Sequence, residues 1–99
     1  MHFFVKTQNP RPTFHLDMTE EERSIMEKHV AYWSEYARQG IAVAFGPVMD
    51  PRGVYGIGIY RADNEEVMQD LLAKDPAAGL LRYDVCPMPR LVLGAGPGA

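Results

Sequence analysis

Three places in this chain carry groups that could do chemistry: His29, the Gly46-Pro47 step, and Asp75 ahead of Pro76. An imidazole titrates near neutral pH and suits proton transfer. His29 follows Ile25 and Met26 and precedes Tyr32 and Trp33 at helical spacing, so on a helix it falls on or beside the apolar stripe. Burying an unpaired imidazole is costly, so it needs a hydrogen-bond partner. Two readings stand side by side: a partnered core histidine, and a histidine lining a pocket. Spacing does not choose between them. Asp75 is similarly either a helix-end or turn carboxylate beside a proline, or a site residue. Gly46-Pro47 interrupts an apolar stretch, and a glycine inside a strand marks a bulge or a close approach by backbone or ligand. Tyr32, Trp33, Phe45 and Tyr60 could wall an apolar pocket or simply pack the core.

Other chemistries find little support. There is no P-loop, CxxC, HExxH or nucleophile elbow. The Gly56-Ile57-Gly58 triplet lies inside a predicted strand rather than at a strand-to-helix turn, which argues against a nucleotide site. The three histidines lack ligand spacing, so no metal is expected. No cofactor is expected either. Cys86 next to Pro87 reads as a half-buried spectator, and His15 as a solvent-facing loop residue.

The elements that must position these groups are legible from pattern. Residues 19–47 organise the chain. Thr19 with Glu22 forms a capping box, and Glu20, Glu21 and Glu22 oppose the positive end of the helix dipole. Ile25, Met26, Val30, Trp33 and Ala37 recur at three to four, and Gly40 suits the C′ position. Before this helix, His2–Gln8 reads as a strand, Asn9-Pro10-Arg11-Pro12 breaks it, and 13–18 reads as a loop with Phe14 and Leu16 packed. After it, Ile41–Met49 and Val54–Arg61 read as a hairpin around the turn Asp50-Pro51-Arg52-Gly53. The face Val54-Gly56-Gly58-Tyr60 has two glycines, so something should lie close against it. Asp63 with Glu66 opens a second helix, about 64–73, which ends before Pro76. Leu80–Leu93 reads as a last strand, broken at Pro87 and Pro89, with Leu91-Val92-Leu93 resuming.

The order β-α-β-β-α-β predicts an α+β fold: a ferredoxin-like plait with a four-stranded antiparallel sheet and both helices on one face. The open face carries apolar side chains, so a second copy should cover it, giving a dimeric α+β barrel. Residues 1–93 form one domain, and 94–99 (GAGPGA) read as a flexible tail.

Composition fits that picture. Ninety-nine residues, 46% hydrophobic and 23% charged, are ordinary for one globular domain. A net charge of −3 without a basic run argues against nucleic acid and anionic membranes. No apolar run reaches the ~20 residues of a membrane span. No signal-peptide pattern opens the chain, and the single cysteine fits a reducing compartment, so a cytoplasmic location is the expectation.

Taken together, the motifs resemble the YCII-related (YciI-like) family of small ferredoxin-like proteins over about residues 1–90. The carriers are Glu27-Lys28-His29-Val30 in mid-helix, Gly40, Ala44-Phe45-Gly46-Pro47, and Asp75-Pro76 followed by Gly79 and Tyr83. The resemblance implies a dimeric α+β barrel and an active site with a His–Asp pair. His29 matches the family histidine and Asp75 the aspartate. From the residues themselves, Trp33, Phe45, Gly46 and Pro47 are expected to line the substrate pocket. Ala77 stands where the family pattern carries an aromatic residue. Most members have no assigned reaction, and a few are linked to breakdown of substituted aromatic compounds. A carboxylate bonded to one imidazole nitrogen fixes the tautomer and leaves the other nitrogen for a substrate proton. Three functions are consistent with this: a cofactor-free acid/base enzyme (lyase, isomerase or dehalogenase), a non-catalytic small-ligand binder, and a structural dimer whose pair only satisfies itself.

Overall fold

The computed structural model describes residues 1–94. The expected tail therefore lies, apart from Gly94, outside the described residues. The element order is β1 (His2–Gln8), α1 (Phe14–Asp17), α2 (Glu20–Arg38), β2 (Ala42–Val48), β3 (Tyr55–Arg61), α3 (Glu65–Ala73) and β4 (Arg82–Met88).

The long helix α2 starts and stops where its sequence says it must. Glu22 N–H donates to Thr19 Oγ1 at 3.1 Å while Thr19 N–H donates to Glu22 Oε1 at 2.9 Å. At the other end Gly40 takes φ +77°. Its N–H bonds Ala37 O at 3.1 Å and Ile41 N–H bonds Tyr36 O at 2.9 Å, the paired closure that favours glycine at C′. The inward face differs in detail from the expected stripe. Val30 is half exposed and Ala37 exposed. Met26, His29, Tyr32, Trp33 and Tyr36 face in instead, so the stripe is rotated toward the aromatic side.

All four strands join one sheet in the order β2-β3-β1-β4, every pairing antiparallel. This is the ferredoxin-like plait. Both edges hold a proline, Pro47 in β2 and Pro87 in β4, where a missing N–H is tolerated. The irregularity in β2 falls between Ala42 and Ala44 rather than at Gly46. Phe3, Val5, Tyr60, Trp33, Met68 and Leu72 form the centre of the core between the sheet and the helices. The register puts Phe4, Ile57, Ile59 and Cys86 on the opposite face.

Four local expectations are corrected. Residues 14–17 form a helical turn, not loop, because Leu16 and Asp17 N–H both bond Thr13 O. Leu16 is 78% exposed, and Phe14 alone packs. The cap of α3 is Asn64, whose side chain accepts from Val67 N–H at 2.9 Å, not Asp63 one residue earlier. The last strand is shorter than expected, and 91–93 do not resume it.

Candidate active site

The sequence between β1 and α2 folds over one end of the sheet, fastened by Arg11. Its guanidinium donates to Asp17 Oδ1 at 2.8 Å and to both carboxylate oxygens of Glu22 at 2.8 Å. That clamp ties α1 to the first turn of α2. Under α1, the second and third turns of α2 and the β2–β3 hairpin enclose a cavity of about 430 Å³, a size usual for small-molecule sites. Phe14, Met18, Met26, Phe45 and Pro47 contribute apolar walls. His29 lines it too, together with Gly46, Gly56 and Tyr60.

Behind His29 sits Asp75, delivered by the turn that follows α3. Its side chain is fully buried, and 12% of the His29 side chain is exposed. Nδ1 of His29 lies 2.9 Å from Oδ1 and 2.8 Å from Oδ2. Three further groups converge on the same carboxylate. Trp33 Nε1–H donates to Oδ2 at 2.7 Å, the Tyr83 hydroxyl to Oδ2 at 2.7 Å, and Ala77 N–H to Oδ1 at 2.9 Å. Burial pushes the Asp75 carboxyl up. The bonds from His29, Ala77 and Tyr83 outweigh it, and the group is held below the usual carboxylate range. Tyr83 is displaced upward, by burial first and then by the carboxylate it bonds. A carboxylate that is ionised and fully bonded is the tolerable form of a buried charge. With Asp75 accepting at Nδ1, that nitrogen carries the proton of the neutral ring. Nε2 is then the nitrogen with a free lone pair.

The expected site residues divide as follows. His29 and Asp75 come together across the fold. Phe45, Gly46 and Pro47 line the cavity beside His29. Trp33 does not line it. It is 1% exposed and belongs to the core, with its indole N–H spent on Asp75. The close approach expected at Gly46 occurs elsewhere: a Cβ there would meet nothing within 4 Å. At Gly56 it would lie 2.3 Å from Thr7 Oγ1, and at Gly58 2.0 Å from the Tyr60 hydroxyl. His15, read as solvent-facing, instead lines the cavity, with a buried and unpartnered Nδ1. A single helical turn shows no periodicity, so only the neighbouring Phe14, 1% exposed, hinted at it. Among the described residues, no group of three or more His, Cys, Asp or Glu could hold a metal. No helix among them is long and apolar enough to cross a membrane.

A model of the YCII-related domain matches residues 2–88. The chain belongs to this family. No curated protein sequence matches it. Among solved structures, it is similar to 5-chloro-2-hydroxyhydroquinone dehydrochlorinase from Burkholderia phenoliruptrix AC1100, in complex with 2,5-dihydroxybenzoquinone. The TM-score is 0.62 at 18% identity, over 87% of this chain and 92% of that one. At this identity the likeness establishes the shared fold. The YCII-related domain here is thus a plait with a cavity at one end.

Proposed function

We propose that this YCII-related protein is a cofactor-free acid/base enzyme that moves a proton on a small ring compound, in a lyase, isomerase or dehalogenase reaction. His29 Nε2 is the general acid/base, and Asp75 is a positioning residue that fixes its tautomer. One observation carries this reading. An imidazole held by a buried carboxylate at 2.8–2.9 Å lines a largely apolar cavity of about 430 Å³. A self-satisfied structural pair would have no need of such a space. The similar structure supports the substrate class: its name describes loss of HCl from a hydroxylated ring, and it holds a dihydroxybenzoquinone. In an elimination of this kind His29 accepts a substrate proton, and the electron pair left behind expels the leaving group. Phe45, Gly46 and Pro47 contact the ring.

The working unit in this reading is a homodimer joined through the open sheet face. Phe4, Ile57 and Ile59 lie there at intermediate exposure, with no helix of the same chain over them. Burying such apolar area is the main driving force for association. The lone Cys86 fits a reducing, cytoplasmic setting.

The test is a turnover screen over halogenated and unhalogenated hydroquinones, read by halide release and ring absorbance. His29→Ala should lower kcat by about 10² to 10⁴ with little change in ligand affinity. Binding without turnover in the unaltered protein would favour the carrier reading instead.

A further inference from the structure

Tyr60 is 3% exposed and lines the cavity that holds His29. Its ring packs on Trp33, centroids 4.2 Å apart. Two residues back on the same face of β3 is Gly58, where a Cβ would sit 2.0 Å from the phenol oxygen and 2.2 Å from Cζ. The missing side chain is what lets the phenol lie back along its own strand, toward the cavity-lining Gly56.

Buried hydroxyls normally have partners. Tyr32 donates to Leu71 O at 2.6 Å and Tyr83 to Asp75 at 2.7 Å. Tyr60, more buried than either, bonds no described residue. Nor is its oxygen sealed in: among the described residues the sealed and unpartnered side-chain polar atom is His15 Nδ1. Among the described residues the Tyr60 hydroxyl is thus a donor without a partner, on a residue that lines the same cavity as His29.

We propose that Tyr60 is a second catalytic residue, whose hydroxyl donates a hydrogen bond to an oxygen on the ring from which His29 takes a proton. The ligands of this site are then small rings bearing a phenolic, enolic or quinone oxygen. This rests on the proton-transfer reading of His29. When Nε2 accepts a proton from such a ring, the electron pair left behind delocalises onto the ring oxygen. A donor already aimed there stabilises that charge without reorganising. Tyr60 keeps its own proton throughout, and no bond to it forms or breaks. Burial, and then the nearby Asp75 charge, raise the phenol's pKa, which keeps it a donor.

Two probes that differ by one oxygen test this: 4-nitrophenolate and nitrobenzene, titrated calorimetrically into the protein and its Tyr60→Phe variant. The variant removes no hydrogen bond that the fold uses, so its melting temperature should stay within a few degrees. Its affinity for 4-nitrophenolate should fall about tenfold, and its affinity for nitrobenzene should not change. An unchanged ratio of the two affinities overturns the role of Tyr60, as does a large loss of stability, which would place the hydroxyl inside the fold's own network. If Tyr60→Phe is silent while both probes bind and His29→Ala still loses turnover in the hydroquinone screen, the role of Tyr60 falls and the histidine reading stands alone. If neither probe binds at millimolar concentration, both readings fall.

Discussion

His29 Nδ1 and Asp75 Oδ2 lie 2.8 Å apart although 46 residues separate them in the chain. One comes from the middle of α2 and the other from the turn after α3, so the contact exists only once both helices are seated on the sheet. Because Trp33, Tyr83 and Ala77 donate to the same carboxylate, the pair is part of the fold's structure as well as of its site.

Removing that carboxylate should therefore damage stability as well as function. Asp75→Ala leaves three buried donors and the imidazole without an acceptor. The expected cost is about 3 kcal/mol or more, read from urea unfolding. A cost under about 1 kcal/mol would mean that the four bonds are not formed in solution.

The same group sets an acid limb. Its folded pKa lies below that of an ordinary aspartate, so the fold prefers the ionised form. That contribution is complete above the unfolded pKa and is lost as pH falls through the lower, folded value. Asp17, Glu22, Glu35 and Asp50 are also lowered, so the informative quantity is the difference between the protein and Asp75→Asn. That difference should shrink as pH drops below about 3.9, the value of an unfolded aspartate. A difference that holds constant into acid would contradict the assignment.

Gly58 and Tyr60 should couple energetically. Gly58→Ala forces the Tyr60 ring off its position, at a cost of about 1–3 kcal/mol. In a Tyr60→Leu background the same change should cost much less. A double-mutant cycle by chemical denaturation measures the coupling, and additive costs would show that the ring does not lie over Gly58.

These relationships differ in how far the sequence displays them. Thr19, Glu22 and Gly40 act within one turn of where they stand, so capping chemistry alone placed both ends of α2. The positions of the strands followed from alternation and turn residues in the same way. The His29–Asp75 pairing is different in kind. Nothing local to either residue points to the other, and it was the likeness to the YCII-related family that joined them. Trp33 looked equally suited to a pocket wall and to the core, because an indole is apolar in body and polar at one atom. Only the position of Asp75 decides which use the N–H has. Asp63 and Asn64 are both good caps one residue apart. His15 sits on a single turn, too short to show a face.

The sheet face away from the helices yields a separate expectation. Ile59→Lys places a charge at the centre of that face, beside Phe4 in the register. Light scattering should then report half the mass of the unaltered protein, with the helical circular dichroism retained. An unaltered protein that is already monomeric would remove the proposed interface.

The most direct test is nitrogen NMR of the His29 ring in labelled protein, taken where the ring is neutral and repeated with a bound phenol. The account predicts a proton on Nδ1, a bare Nε2, and a shift of Nε2 when the phenol enters. A proton on Nε2, or an Nε2 resonance indifferent to the bound ring, would contradict it.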